Sequence, residues 1–198
     1  MGALGVIIVP MATVGCSDEG ALAASLGESA SFAAIFERRV DGIYRYLSFR
    51  VGDAIAEDLT AETFARAFAG RRGYREDKGS VSAWLYAIAT NLLRDHRRNE
   101  QRRMETLARA KLEPAQRTTD SPTQLADRLR LCSALASLEP EWRNVVLLIG
   151  LGGLTYEETA SILNIPVGTV RSRYSRARAQ LVASLAEVSE PDAAGGAW

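Results

Sequence analysis

Four arginines lie close together in the stretch NIPVGTVRSRYSRARAQL (residues 164–181). They are Arg171, Arg173, Arg176 and Arg178, and no Asp or Glu occurs between residues 164 and 186. A surface helix normally mixes charges of both signs, because opposite charges four residues apart stabilise it. A run of guanidinium groups without acids is typical of a surface that binds a polyanion. The alternative is a solvated amphipathic helix whose arginines only keep it soluble.

The arginine-rich stretch belongs to a chain whose formal net charge is zero. A second basic run, RDHRRNEQRR (residues 94–103), carries five arginines against two acids, a local charge of +3. Residues 164–186 carry +4, so the remainder of the chain totals −7. Two basic patches on an otherwise acidic chain predict two contact points on one polyanion, with acidic surface left for another partner.

The composition is that of a globular protein, with 47% apolar and 24% charged residues among 198. This length allows one medium domain or two small ones. Cys16, Cys132 and the one histidine, His96, lie far apart, which excludes a zinc site of paired Cys and His ligands and does not indicate a disulfide framework. We therefore expect a reducing, cytoplasmic setting, no metal and no cofactor.

The amino-terminal stretch LGVIIVPMATVG (residues 4–15) is apolar and is followed by Cys16, which resembles a lipoprotein signal. However, no Lys or Arg precedes it, and its 12 residues are fewer than the roughly 20 that a membrane-spanning helix needs. We expect a loose extension or an over-long start, with Met11 as an alternative start, and no stable membrane insertion.

Three amphipathic helices are predicted in the first half of the chain, from Ser31 to Gly52, from Asp53 to Gly70 and from Ser82 into the arginine run. Their inward-facing apolar positions include Ile35, Phe36, Ile43, Leu47, Phe64, Phe68, Trp84, Leu85 and Leu93. The polar stretch RRGYREDKGS (residues 71–80) is predicted to be the loop before the third helix.

Periodicity is lost over residues 104–123, where PAQRTTDSPT indicates a linker, and helical spacing resumes from Leu125. Alternation typical of strands is absent from the sequence. The predicted fold class is therefore all-α, with two small helical domains joined by a flexible linker. The predicted boundaries are a disordered extension at 1–29, a first domain at 30–103, a linker at 104–123, a second domain at 124–187 and a tail at 188–198.

The arginine-rich helix is predicted to be the second helix of a helix-turn-helix. TYEE (residues 155–158) is a capping box, in which the Thr155 hydroxyl and the Glu158 carboxylate satisfy free amides at the helix start. Asn164 suits the left-handed turn that ends this short helix, and Pro166 suits the entry to the next. Helix, tight turn and helix within about 30 residues is the layout of this motif.

The angular positions along this second helix separate two faces at about 100° per residue. Its narrow apolar face contains Val170, Tyr174, Ala177 and Leu181. Thr169, Ser172, Ser175, Arg176 and Ala179 lie opposite, flanked by Arg171 and Arg173. Small side chains around an arginine allow a helix to enter the major groove and reach base edges, while flanking arginines contact phosphates.

These residues resemble a known family. GLTYEETASILNIPVGTVRSRYSRARAQL (153–181) closely resembles the promoter-reading second domain of extracytoplasmic-function (ECF) sigma factors of the sigma-70 family. AEDLTAETFARAF (56–68) and SAWLYAIATNLLRDHRR (82–98) are similar to the first domain of the same family, in the same order. The resemblance covers about Phe32 to Ala186 and implies a sigma factor that directs core RNA polymerase to promoters.

The resemblance assigns DNA-contacting roles to matching positions. Arg171, Ser172, Ser175 and Arg176 are expected to read the −35 element, with Thr169 and Arg173 beside them. Asn91 is expected to read a flipped base of the −10 element, because an extruded base needs an amide that reads its edge. Arg94, Arg97 and Arg98 are expected to form a cationic track for the displaced strand.

The resemblance also implies protein partners. The helix containing EDLTAETF resembles the surface that docks on the clamp helices of the largest polymerase subunit, with Asp58, Glu62 and Thr63 as the contacts. Many relatives are held inactive by an anti-sigma factor, which is a candidate partner here. LLIGLGG (147–153) is apolar where relatives usually carry charged residues, so we expect it to press against something unusual, such as an inhibitor.

Two other classes of function agree less well with the sequence. An operator-binding regulator with a helical sensor domain would share the helix-turn-helix, but it gives no reason for the DLTAETF and WLYAIATN segments. An enzyme is not indicated, because the sequence has no nucleophile paired with a base, no phosphate-binding glycine loop and no metal-ligand cluster. The sigma-factor interpretation is therefore the favoured one.

Overall fold

The computed structural model describes residues 17–106 and 131–187. The described residues form helices and contain no strand. In chain order the helices are α1 (Asp18–Ala24), α2 (Ala33–Val51), α3 (Asp53–Gly70), α4 (Val81–Thr106), α5 (the helical residues 131–137), α6 (Pro140–Gly150), α7 (Tyr156–Leu163) and α8 (Val167–Glu187). Short 3-10 turns occupy Ser29–Phe32, Arg71–Gly73 and Glu76–Lys78. The all-α class predicted from the sequence is confirmed.

Helices α2, α3 and α4 form the core of the first domain. Ile43 and Leu47 of α2 and Leu85 of α4 are fully buried, as their periodicity predicts. The Tyr46 hydroxyl lies 2.7 Å from Thr90 Oγ1, so the two buried hydroxyl groups satisfy each other. Two aromatic residues predicted to point inward, Phe36 and Phe68, are instead 43% and 37% exposed. They lie at the rim, with their ring edges against Phe64 and Phe32 respectively.

The amino-terminal region differs from the disordered extension expected over residues 1–29. Its described part contains α1, whose N-cap Ser17 accepts a hydrogen bond from the Gly20 amide. Ala21 and Leu22 are buried in the first-domain core. The Asp18 carboxylate accepts hydrogen bonds from Arg38 Nε at 2.8 Å and from Arg39 Nε at 2.5 Å. Periodicity missed this helix because seven residues are too few to show a repeat.

The predicted linker overlaps the end of α4, which continues to Thr106 rather than stopping at residue 103. The rest of that linker, residues 124–130 of the second domain and the tail at 188–198 lie outside the described residues. These boundaries therefore remain predictions.

The second domain consists of α5 to α8. Pro140 is the first residue of α6, where its missing amide costs no hydrogen bond. Val145, Ala160 and Val170 form a small cluster among α6, α7 and α8. Arg143 holds the end of α5, donating from Nε to the Leu135 carbonyl at 2.6 Å. Leucines 138, 147, 148 and 154 belong to a larger buried cluster that is continuous with the first domain.

Removing the Asp18 carboxylate should detach α1 from α2. Because the carboxylate is nearly buried and bound by two arginines, we expect Asp18→Ala to lower the free energy of unfolding by about 1–3 kcal/mol. Urea denaturation measures the loss, and hydrogen exchange at residues 18–24 should show reduced protection. The control is Glu28→Ala, which removes an exposed carboxylate; equal destabilisation by both variants would contradict the docking role of Asp18.

Candidate nucleic-acid interface

Helices α7 and α8 form the predicted helix-turn-helix. Thr155 Oγ1 accepts a hydrogen bond from the Glu158 amide at 3.1 Å, and Glu158 Oε2 accepts one from the Thr155 amide at 3.0 Å. Asn164 ends α7 in the left-handed conformation, with φ 54° and ψ 51°. These local contacts fix the angle at which α8 leaves the turn.

The inner face of α8 is the one predicted from angular positions. Val170 and Ala177 are fully buried, while Tyr174 and Leu181 are half-buried. On the outer side, four of the six candidate −35 residues are exposed, namely Arg171, Ser172, Ser175 and Arg176. The other two, Thr169 and Arg173, are half-buried at its edges. The helix therefore presents a face of small side chains and arginines to solvent.

Two of the arginines have acidic partners on neighbouring helices. Arg171 Nη2 lies 3.8 Å from Glu157 Oε1, and Arg173 is ion-paired with Glu141 of α6. Within the part of the chain that the structure describes, no carboxylate lies within ion-pair distance of Arg176. The sequence showed that residues 164–186 contain no acid, but it could not show that acids of α6 and α7 pair with Arg173 and Arg171. Because such surface pairs contribute at most about 1 kcal/mol, they do not prevent Arg171 from contacting a phosphate.

The candidate −10 residues lie along α4. Asn91, Arg94, Arg97 and Arg98 are all exposed. Arg94 Nη1 donates to Asn91 Oδ1 at 3.3 Å, and Arg94 Nη2 donates to the Ile162 carbonyl of α7 at 3.1 Å. The face of α4 that carries Asn91, which is expected to read the −10 base, is therefore in contact with the second domain.

Arg97 belongs to a separate open groove of about 860 Å³ that also contains His96, Arg50 and Arg143. Burial, and then the nearby charges of Arg97, Arg143 and Arg94, lower the pKa of Arg50, while Tyr46 acts in the opposite direction. The guanidinium of Arg50 lies over the Tyr46 ring at 4.6 Å and donates to Asn144 Oδ1 of α6. Several cations thus meet between the two domains.

A smaller cavity of about 290 Å³ lies where the 71–80 loop meets α4. Tyr74, Lys78, Trp84 and Ala87 line one side of it. The ring centroids of Tyr74 and Trp84 are 5.4 Å apart, and Trp84 is half-buried rather than fully enclosed in the core. Aromatic surfaces beside a cation and a helix that carries an amide suit an unstacked base.

Tyr74 and Lys78 were missed by sequence reasoning, although an aromatic residue within the polar loop was a usable signal. The Tyr74 hydroxyl donates to the Gly79 carbonyl at 2.9 Å, which anchors the ring within the loop. Burial raises the pKa of Tyr74, and the nearby carboxylates of Glu19, Glu76 and Glu158 add to the increase. The phenol therefore stays protonated at neutral pH, as a donor to this carbonyl must.

Glu158 lines the other side of that cavity. Its Oε1 accepts hydrogen bonds from the Ser80 amide at 3.0 Å and from Ser80 Oγ at 2.6 Å. Burial alone would raise the pKa of Glu158, but the hydrogen bonds from Ser80 and Thr155 outweigh it and hold the pKa below its ordinary value. One carboxylate therefore joins the start of α7 to the start of α4.

The candidate polymerase-binding residues lie on α3. Asp58 and Glu62 are exposed, and Glu62 Oε1 lies 2.6 Å from Arg66 Nε. Thr63 is fully buried, with its hydroxyl donating to the Leu59 carbonyl at 2.7 Å. Asp58 and Glu62 thus share an accessible surface, while Thr63 lies beneath it.

The described residues, 17–106 and 131–187, contain no cluster of three or more His, Cys, Asp or Glu side chains placed to hold a metal ion. They also contain no helix that is both long enough and apolar enough to cross a membrane.

Comparison with known families matches both halves of the chain. Residues 35–103 match the model described as Sigma-70 region 2, and residues 128–181 match the model described as Sigma-70, region 4. The two matches follow the order of the two domains, the first over helices α2–α4 and the second over helices α5–α8. The two units are thus those of a sigma-70 type protein.

Similar proteins narrow the family further. The chain is 38% identical over 170 residues to "ECF RNA polymerase sigma factor SigE" of Mycolicibacterium smegmatis, covering 82% of this chain but only 65% of that relative. It is 31% identical to "Probable RNA polymerase sigma-C factor" of Mycobacterium bovis, covering 87% of this chain and 90% of that protein. The chain belongs to the ECF group of sigma-70 family RNA polymerase sigma factors.

Solved structures share the fold. CnrH, in complex with the cytosolic domain of CnrY, aligns with a TM-score of 0.64 at 24% identity, over 87% of this chain and 99% of that one. The sigma factor RpoE of Bartonella quintana, in complex with the anti-sigma factor NepR, aligns with a TM-score of 0.63 at 25% identity, over 80% of this chain and 98% of that one. These likenesses extend across both helical domains.

The lowered pKa of Glu158 predicts a pH-dependent contribution to stability. A carboxylate with a lowered pKa in the folded state stabilises the fold above the ordinary Glu value of about 4.3 and loses this effect as the pH falls through the folded-state pKa. At pH 7 we expect Glu158→Gln to lower the free energy of unfolding by about 1–2 kcal/mol. The difference from the unsubstituted chain should shrink as the pH falls below 4.

Urea denaturation from pH 7 to pH 3 measures this difference. Glu157→Gln is the matched control, because the Glu157 side chain is 65% exposed and lies 3.8 Å from Arg171 in a surface ion pair. It should cost at most a few tenths of a kcal/mol. A Glu158→Gln deficit that stays constant from pH 7 to pH 3 would show that the charge of Glu158 does not matter.

Proposed function

We propose that this chain binds core RNA polymerase and directs promoter-specific initiation by contacting DNA at two elements. In this proposal α8 reads the −35 element in the major groove, and α4 with the 71–80 loop holds the melted −10 strand. The observation that carries it is the exposed arginine and serine face of α8, on the same chain as a cationic α4 beside an aromatic-lined cavity. An operator-binding regulator would need an exposed reading face like that of α8. It would not need a cationic helix beside an aromatic-lined cavity.

Within α8 we assign base reading to Arg176 and the neighbouring Ser172 and Ser175. Arg176 is exposed and opposite the buried Val170 and Ala177, so its side chain can extend into a groove. We assign Arg171 to a phosphate at the groove edge. Arg173, half-buried and paired with Glu141, is better suited to positioning the helix than to reading a base.

On α4 we assign Asn91 to the edge of a flipped −10 base, with Arg94, Arg97 and Arg98 following the backbone of the strand. A single strand is held by stacking on aromatic surfaces and by cations along its phosphates. The aromatic surfaces are supplied by Tyr74 of the 71–80 loop and by Trp84 of α4, the helix that also carries Asn91. Duplex opening is then favoured because the extruded base exchanges its stacking partners for these rings.

We propose that Asp58 and Glu62 contact the clamp helices of the largest polymerase subunit. Both carboxylates are exposed on one side of α3. Thr63 is assigned a supporting role beneath them, because it is fully buried. We propose that polymerase binding and promoter recognition take place in the cytoplasm, where polymerase and promoter DNA are found.

An anti-sigma factor is a further proposed partner. The solved complex of Bartonella quintana RpoE contains the anti-sigma factor NepR, and its sigma chain resembles this one in fold. Such a partner would act by covering the polymerase-binding or DNA-binding surfaces proposed above.

The proposed function is tested by mixing the purified chain with sigma-free core polymerase and a promoter library. We expect co-elution with core and initiation at a restricted set of sequences with related −35 and −10 elements. An operator-binding regulator would bind DNA without core and would not restore initiation. Failure both to co-elute and to give specific initiation would refute the sigma role.

Replacing Arg176 should weaken −35 recognition selectively. If Arg176 makes a bidentate contact with a base, Arg176→Ala should cost about 1–3 kcal/mol on the matched −35 sequence and much less on a scrambled one. Duplex binding at fixed salt measures both affinities. Arg178→Ala is the matched control, because Arg178 lies on another side of the same helix; equal losses on matched and scrambled DNA for Arg176→Ala would reduce its role to a phosphate contact.

Reversing the charge of Asp58 should abolish polymerase binding. Asp58→Arg places a cation on the acidic surface proposed to dock on core, so we expect at least a tenfold loss of affinity for core, about 1.4 kcal/mol. Binding to −35 duplex should stay unchanged. Asp41→Arg, at an exposed position on α2, is the control; loss of both core and duplex binding by Asp58→Arg would point to misfolding instead.

A further inference from the structure

The open groove of about 860 Å³ lies where four helices meet. Its lining comes from the end of α2, the start of α3, the second half of α4 and the start of α6. Among the described residues it shares no lining residue with the cavity beside Tyr74 and Trp84. Its volume is within the range of pockets that bind small molecules.

Three guanidinium groups line this groove, those of Arg50, Arg97 and Arg143, and we call it the arginine groove. In the described parts of the chain, no carboxylate lies within ion-pair distance of any of the three. Glu100 is the one acid among the described lining residues, so three arginines and one glutamate give a net charge of +2 when His96 is neutral. The groove therefore attracts anions.

Arg50 is a cation that the protein itself does not neutralise. Its guanidinium lies over the Tyr46 ring and donates to the uncharged side chain of Asn144. Its Nε is buried and has no hydrogen-bond partner among the residues that the structure describes, which is costly for a charged donor. Burial lowers the pKa of Arg50, Tyr46 opposes this effect, and the charges of Arg97 and Arg143 lower the pKa further. An anion in the groove would offset this repulsion.

The other two arginines are held differently. Arg143 is fixed by three carbonyl groups, since its Nε donates to Leu135 at 2.6 Å and its Nη2 donates to Ala136 at 2.7 Å and to Leu138 at 3.0 Å. These bonds orient the side chain without neutralising it. Arg97 is exposed on α4 and can swing toward an occupant. A cation that is already fixed loses little conformational entropy when an anion binds.

An apolar wall completes the arginine groove. Val51, Ile55 and Pro140 belong to its lining. A bare inorganic anion would make no use of this wall. A flat ring can pack on it and can also stack on guanidinium planes. The groove therefore fits a molecule that carries both several phosphates and a ring.

We propose that the arginine groove binds a nucleoside polyphosphate. Its phosphates contact Arg50, Arg97 and Arg143, because guanidinium groups bind phosphate oxygens in pairs of hydrogen bonds, and its base packs on Ile55. Apart from Arg97, these residues belong to none of the surfaces proposed above to contact DNA or polymerase, so the inference does not rest on the proposed function.

The site is tested by titrating the full chain with ATP and with GTP, without polymerase, DNA or divalent ions, in an isothermal calorimeter at fixed ionic strength. Inorganic tripolyphosphate is the companion probe. At least one nucleotide should bind one-to-one with a Kd below about 1 mM and about tenfold more tightly than tripolyphosphate, which carries at least as much charge. Absence of nucleotide binding, or equally tight binding of tripolyphosphate, would overturn the proposal.

Arg97→Gln should weaken binding of the tighter nucleotide about five- to twentyfold, because it removes a charge-assisted contact. Arg98→Gln is the matched control, since it removes the same charge from the next position of α4, which is exposed and lies outside the groove. It should change the affinity less than about twofold. Equal weakening by the two substitutions would show that the arginines of α4 attract the nucleotide without a defined site, which would overturn the proposal.

Ile55→Ser separates the contact with the base from the contacts with the phosphates. It should weaken nucleotide binding at least about threefold, because it removes apolar surface from the wall, and it should leave the affinity for tripolyphosphate unchanged. Circular dichroism checks that the variant keeps its helices. Unchanged nucleotide affinity in a folded Ile55→Ser chain would overturn the placement of the base.

Discussion

The structure depends on one carboxylate that serves two helices in two domains. Glu158 caps α7 through the Thr155 amide and at the same time accepts two hydrogen bonds from Ser80 at the start of α4. A charged acceptor that loses its partners in a half-buried site is costly, so the three donors hold the group ionised and in place. The contact that shapes the helix-turn-helix therefore also sets where the second domain sits on the first.

The charge distribution follows from this arrangement. Arginines of α4 and α8 form the basic patches that the sequence separates by about 70 residues, and the acidic positions lie on other helices. Glu158 accepts hydrogen bonds between the two domains, whereas Asp58 and Glu62 are exposed. Zero net charge thus conceals basic patches on α4 and α8 and an acidic patch on α3, which are the surfaces proposed to bind DNA and polymerase.

Local features were predictable from the sequence because short-range physics determines them. The capping box at Thr155, the left-handed Asn164 and the buried face of α8 each depend on residues within a few positions of one another. The exposed candidates on α8 and α4 follow from the same periodicity. These elements required no knowledge of how the domains meet.

The contacts that sequence reasoning missed join residues far apart in the chain. Asp18 binds Arg38 and Arg39, Glu141 pairs with Arg173, and Glu158 reaches back to Ser80 across 78 positions. The helical spacing of apolar residues does not predict such pairs, because each pair depends on how whole helices pack together. LLIGLGG gave a partial signal: its apolar character indicated a contact, but the sequence could not indicate that the partner is the first domain.

The packing of the second domain on the first is tested most directly by measuring the distance between the domains in solution. Spin labels at Asp41→Cys on α2 and Ser133→Cys on α5, both at exposed positions, in a chain with Cys16 and Cys132 replaced by serine, allow this by pulsed electron paramagnetic resonance. The free chain should give one narrow distance distribution, because hydrogen bonds and a shared buried cluster hold the second domain on the first. A broad distribution in the free chain would contradict this packing.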